Sequence, residues 1–227
     1  MNKTLKLNIR DMLVLRETSL MAPLGPSAKA KMMELVVVNH HEARDILFSA
    51  GDPGRYIYCV LHGYVRLFRL NREGREADIR IFGQGDTIND WLLVTGGPCQ
   101  CTAQAAEPVT VARFEIDMVR ALAVQEPDMA MALIEGLASG LETMMEMVAS
   151  DRLQTAHQRV ANYLLQRCPQ HSNSAMIRLP YQKSLLAGQL GLAPEALSRA
   201  FSALRCAGVI VRGRHIQVND VDALRRI

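Results

Sequence analysis

The chain has 227 residues, a net charge of +3 and five cysteines, enough length for one large domain or two modest ones with adequate cores. Residues 151–227 hold 11 Lys and Arg against 4 Asp and Glu, a net of +7, whereas residues 1–150 net −4; a basic end module on an acidic body suits a phosphate-bearing partner. No apolar run reaches the roughly 18–20 residues that span a bilayer, the start MNKTLKLNIRDM lacks a secretory signal's apolar core, and the scattered cysteines argue against a disulfide framework, so a soluble, cytoplasmic protein without membrane contact is expected.

Residues 10–35 read as helix-rich. From about 44 to 116 the pattern is of short alternating strands broken by turns: Val65, Leu67 and Leu70 lie among Arg66, Arg69 and Asn71, and NREGR at 71–75 supplies a hairpin loop. Several such units predict an all-β sandwich or roll. Within it, residues 83–104, GQGDTINDWLLVTGGPCQCTAQ, combine glycines, acids and amides with a Cys-x-Cys pair. The stretch can be read as a phosphate cradle, a metal site, a redox switch or a plain loop. Cys99 and Cys101 at i, i+2 in an extended segment would have Cα atoms roughly 6.5–7 Å apart, at or beyond disulfide reach, so two small packed residues are the simpler reading.

From residue 127 the period becomes helical. Ala130, Leu133, Leu137, Gly140, Met144 and Met147 form one stripe, with Ile134, Leu141 and Val148 beside it. The apolar face is too wide for one neighbour, and it predicts a helix that touches both its own body and a symmetry mate, a parallel homodimer seam.

The tail carries the most specific pattern, QKSLLAGQLGLAPEALSRAFSALRCAG at 182–208. A helix-turn-helix requires a small residue where the helices cross, a residue tolerant of positive φ in the turn, and an apolar anchor on the second helix. Ala187, Gly191 and Leu197 meet these needs, Leu186, Leu190, Leu192, Ala200 and Leu204 fill the shared face, Pro194 suits a first helical turn and Gly208 a helix stop. VIVRGRHIQV follows as two short strands, a wing. Glu195, Ser198 and Arg199 project from one side of the second helix with the chemistry to read base edges in a major groove, and Lys183, Arg205, Arg212 and Arg214 suit phosphates. Double-stranded DNA is the partner so implied. The chain shows no Ser-His-Asp order, HExxH, P-loop or paired catalytic acids, so no catalytic residue is expected.

The order of roll, long helix and winged helix-turn-helix resembles the bacterial CRP/FNR transcription regulators over nearly the whole chain, with Gly51-Asp52, Gly63, Gly74 and Gly85-Asp86 matching the roll's turn pattern. The resemblance implies an α+β fold: a cyclic-nucleotide-binding-type β roll (jelly roll) with flanking helices at 1–126, a dimerisation helix at 127–150 and a DNA-binding domain at 151–227. Glu195-Ala196-Leu197-Ser198-Arg199 is similar to the E-x-x-S-R recognition helix of the FNR branch, which implies a TTGAT-like inverted repeat, an activator role and contact with RNA polymerase.

The same resemblance assigns an effector pocket to Gly85, Asp86, Asn89, Asp90, Gln100, Cys101 and Thr102. Cyclic-nucleotide binders hold the ribose with a Glu and the phosphate with an Arg-Ser pair ten residues on; here those places fall to Asp90 and to Gln100-Cys101. A neutral Gln cannot neutralise a phosphate, so control by cyclic AMP is disfavoured and stands as the alternative. With no cysteine before Cys59, the usual iron–sulfur cluster is not expected. The denitrification and nitric-oxide branch, closest in character, implies haem, for which His40, His41 and His62 are the candidate ligands and no metal site is otherwise marked.

Overall fold

The computed structural model describes residues 3–169, 172–179 and 183–227 and divides into two compact units, Met1–Met144 and Met145–Ile227. Gln182, the first residue of the predicted helix-turn-helix, lies outside the described residues.

In the first unit β1 (Lys3–Leu5), α1 (Ile9–Arg16) and α2 (Pro26–Leu35) precede β2 (Val37–His41), β3 (Ile46–Phe48), β4 (Tyr56–His62), β5 (Val65–Leu70), β6 (Glu76–Phe82), β7 (Thr87–Ile88), α3 (Leu92–Thr95), β8 (Thr102–Ala105), β9 (Val109–Glu115) and α4 (Ile116–Gln125). The strands form two antiparallel sheets, ordered β1-β2-β9-β4-β7 and β3-β8-β5-β6. Ile57, Val60, Leu61, Val111 and Phe114 of one sheet and Phe48, Val65, Leu67 and Ala103 of the other belong to one buried core, the roll that the alternation predicts. The sheet begins earlier than the predicted boundary of 44. β2 carries the polar run Asn39, His40, His41, with Asn39 and His41 each only 3% exposed, so its hydropathy does not alternate as a strand's should.

A single long helix, α5 (Pro127–Leu153), follows. Its Met129 and Ala132 are buried, and a Cβ on Gly136 would lie 2.6 Å from the Ser19 carbonyl oxygen, so this glycine allows the helix to touch the α1–α2 connection. The predicted seam residues do not share one environment. Leu133, Leu137, Gly140 and Met147 are half-buried while Ala130 and Met144 are exposed, and a row comprising Met131, Ile134, Leu141, Met145 and Val148 is exposed on the same helix. At Gly140, a Cβ would meet nothing within 4 Å.

The second unit holds α6 (Ala156–Leu165), β10 (Ala175–Arg178), α7 (Lys183–Gln189), α8 (Pro194–Ala203), a 3-10 turn (Leu204–Ala207), β11 (Val209–Arg212), β12 (His215–Val218) and α9 (Val221–Arg225). Thr155 and Gln158 form a capping box that starts α6. The predicted wing pairs Val209↔Val218 through Arg212↔His215, and β10 adds a third strand against β12. Val160, Leu164, Leu186, Leu197, Leu204, Ile216 and Leu224 are each at most 2% exposed and close the core. Among the described residues, no helix is long and apolar enough to cross a membrane.

Candidate functional site

Helices α7 and α8 meet through the residues that the sequence nominates. Ala187 is 1% and Leu197 2% exposed, and Gly191 has φ +60, a left-handed conformation that a side chain would strain. Pro194 opens α8 at its first turn, and Gly208 ends the following turn at φ 77. The burial of Leu197, Ala200 and Phe201 leaves Glu195, Ser198 and Arg199 exposed. The Ser198 hydroxyl donates to the Pro194 carbonyl at 3.0 Å, which leaves its oxygen lone pairs available to accept.

A concavity of about 330 Å³ between α8 and β11 gathers Lys183, Ser198, Ser202 and Arg205. Arg212 is exposed at the wing. Arg214 is half-buried and donates through Nε to the Leu179 carbonyl at 3.0 Å, so it also ties the wing to the residue that follows β10. Arg159 escaped the sequence reading. Its side chain is 14% exposed, and Nη1 donates to Asp151 Oδ1 at 2.5 Å and to the Leu190 carbonyl at 2.8 Å, which fixes the turn between α7 and α8.

The first unit contains a cavity of about 550 Å³. Of the seven pocket residues that the sequence nominates, Gly85, Asp86, Asp90, Gln100 and Cys101 line it. Asn89 and Thr102 are not among the lining residues. Asn89 is 1% exposed, adopts φ 67 and donates through Nδ2 to Cys99 Sγ at 3.5 Å. The Thr102 hydroxyl instead accepts from the Ala50 amide at 3.1 Å. The lining also includes Arg69, Arg80 and Trp91, and from α5 Leu137, Gly140, Leu141 and Met144. Trp91 falls within the 83–104 stretch, but no local motif marks the others as cavity lining, because β5, β6 and α5 converge only in the folded sheet and helix packing.

Burial raises the pKa of Asp86 above the usual carboxylate range, opposed by the Gly83 amide at 2.7 Å and by Arg80; it also raises that of Asp90, opposed by the Trp91 amide. The Arg80 guanidinium lies 3.4 Å from Asp86 Oδ1 and stacks 4.6 Å over the Phe82 ring. Arg69 donates through Nε to the Gln100 carbonyl at 2.9 Å and through Nη2 to Gln100 Oε1 at 3.4 Å.

Cys99 and Cys101 are free and buried, just ahead of β8, and burial pushes the Cys99 thiol up, away from the reactive thiolate. Among the described residues, no group of three or more His, Cys, Asp or Glu could hold a metal ion. The three histidines lie apart from the cavity lining: His62 Nε2 pairs with Asp11 Oδ1 at 2.7 Å, His40 Nδ1 with Thr110 Oγ1 at 3.2 Å, and His41 is buried in β2. The cavity lining thus does not fit a histidine-ligated haem.

Residues 38–126 match the family described as cyclic nucleotide-binding domain, and residues 158–227 the Crp-like helix-turn-helix domain, well over half of the chain between them. The chain is 25% identical over 184 residues to the anaerobic regulatory protein of Haemophilus influenzae, covering 79% of this chain and 71% of that one. It is similar in structure to a proposed cAMP-binding regulatory protein of Silicibacter pomeroyi, with a TM-score of 0.71 and 28% identity over 96% of this chain and 98% of that one. FixK2 of Bradyrhizobium japonicum shares the fold, at a TM-score of 0.70 and 24% identity over 84% of this chain and 96% of that one. The chain belongs to the CRP/FNR family of DNA-binding transcription regulators, with a cyclic nucleotide-binding-type domain ahead of a Crp-like helix-turn-helix domain.

Proposed function

We propose that the chain acts as a homodimer that reads a TTGAT-like inverted repeat and activates transcription by contact with RNA polymerase, under the control of a small effector in the 550 Å³ cavity. The observation that carries the DNA reading is the placement of Glu195, Ser198 and Arg199, exposed together at the start of α8 above a buried Leu197. Glu accepts from a cytosine amino group, Arg donates twice to a guanine edge, and Lys183, Arg205 and Arg212 flank them as phosphate contacts. The exposed row Met131, Ile134, Leu141, Met145 and Val148 supports the dimer, since a solvated apolar stripe of this length is costly in a lone chain.

Residues 1–126 then sense, 127–150 dimerise and 151–227 bind DNA. The effector touches α5 directly at Leu137, Gly140, Leu141 and Met144, and the last turn of the same helix carries Asp151, whose carboxylate holds Arg159 against the turn between α7 and α8. A ligand that favours one placement of α5 shifts the population of DNA-competent dimers. Selection of bound duplexes from a random-sequence library tests the DNA reading. Enrichment of an inverted repeat with half-sites about one helical turn apart supports it; recovery of unselected sequence at equal affinity refutes it.

Control by a cyclic nucleotide is the second reading, and one contact favours it. A guanidinium, that of Arg69, hydrogen-bonds Gln100 at the place where the neutral side chain argued against a phosphate.

A further inference from the structure

Within the reading of the cavity as an effector site, the geometry assigns its anion-binding role to Arg69, with an organic acid, a phosphate or carboxylate on an apolar body, as the ligand class. Position 100 faces the cavity as an uncharged amide, yet Gln100 presents both its carbonyl and its side-chain oxygen to Arg69, so a guanidinium is fixed at that place from the neighbouring strand. β5 and β6 pair with Leu67 opposite Arg80, and Arg69 lies two residues further along β5, which brings both arginines into the same cavity wall.

The two cations differ in their partners. Arg80 sits beside Asp86 and over Phe82, so its charge is largely answered. Among the described residues, Arg69 hydrogen-bonds only the neutral oxygens of Gln100 and has no carboxylate within salt-bridge distance. A guanidinium keeps its charge at any working pH and holds phosphate or carboxylate through two parallel donors. Beyond it, Leu67, Phe82, Trp91, Leu141 and Met144 offer an apolar lining, and Asp90 can accept from a ligand hydroxyl.

Trp91 is the chain's single tryptophan and lines the cavity, so its fluorescence reports occupancy directly. The full-length protein would be titrated with two acids and their uncharged counterparts: cyclic AMP against adenosine, and salicylate against salicylamide. The expected result is a saturable change with at least one acid, binding about tenfold or more tighter than its neutral counterpart. Arg69→Gln should abolish that difference, and adding Gln100→Arg to the variant should restore it by returning a guanidinium to the same place. Which acid responds separates a phosphodiester from a carboxylate ligand. Equal binding of acid and neutral probe, an unaffected Arg69→Gln variant, or no saturable response to either acid would overturn the assignment.

Operator affinity measured on the same samples keeps the two readings apart. An acid that binds through Arg69 without altering operator affinity leaves this inference standing and removes effector control. Failure of acid binding with specific DNA binding intact removes this inference and leaves the DNA reading.

Discussion

Arg159 Nη1 lies 2.5 Å from Asp151 Oδ1, which joins the last turn of α5 to α6, and the same nitrogen reaches the Leu190 carbonyl at the end of α7. Asp151 is about half exposed, so its Coulomb contribution is screened, whereas the Leu190 carbonyl loses a charged donor if the arginine is removed. Arg159→Met, which keeps the aliphatic stem, should lower stability by about 1–3 kcal/mol and weaken operator binding without changing which bases are preferred. Urea unfolding followed by circular dichroism, with binding to an operator and to single-base variants of it, checks both parts.

Two glycines one helical turn apart on α5 should behave differently. Gly136→Ala sets a Cβ 2.6 Å from the Ser19 carbonyl, a backbone atom that cannot move aside, and should destabilise by about 1–3 kcal/mol. Gly140→Ala meets nothing within 4 Å in the chain and gains about 0.5–1 kcal/mol from helix propensity. Thermal unfolding of the two variants should therefore shift in opposite directions.

Burial is the main cause that holds the His41 pKa below 6.5, with His40 and Arg113 acting in the same sense and Asp45 against it. A depressed folded-state pKa means that the contribution to stability is present above 6.5 and is lost as the pH falls through and below that value. Asp86 and Asp90 have the opposite sign: their raised folded-state values favour the folded state as the pH falls into the carboxylate range. Between pH 7.5 and 5.5 the histidine should dominate, so the wild-type urea midpoint should fall and that of His41→Leu should fall less.

The dimer surface should lie on the exposed row rather than on the half-buried Leu133 and Leu137. Ile134→Asp combined with Val148→Asp introduces two charges into that row and should give a monomer at micromolar concentration by sedimentation, with a circular dichroism spectrum close to wild type.

Where structure depends on neighbours in sequence, the residues announce it. Ala187, Gly191, Pro194 and Leu197 define the helix-turn-helix because crossing, positive φ, first-turn proline and anchor are all local demands. The capping box at Thr155 and Gln158 is equally local and marks the start of α6 for the same reason. β10 was not legible: it is four residues long, Ala-Met-Ile-Arg, and gains its strand character from pairing with β12. The cavity was half legible. The glycines and acids of residues 83–104 mark one wall, but Arg69 and Gln100 are 31 positions apart and meet only through the packing of the β3-β8-β5-β6 sheet. The seam residues divide between half-buried Leu133 and Leu137 and exposed Ala130 and Met144 because helical periodicity identifies an apolar face without saying which portion of it the chain's own body covers.

Glu195, Ser198 and Arg199 of α8 are proposed to read base edges, and this is the step on which DNA specificity rests. Affinities of wild type, Arg199→Ala and Arg205→Ala for a selected operator and for random duplex, each across a salt series, test it most directly. Arg199→Ala should lose about 1–3 kcal/mol on the operator and little on random DNA, whereas Arg205→Ala should weaken both alike and reduce the salt slope by about one. Equal losses on operator and random DNA for Arg199→Ala would contradict it.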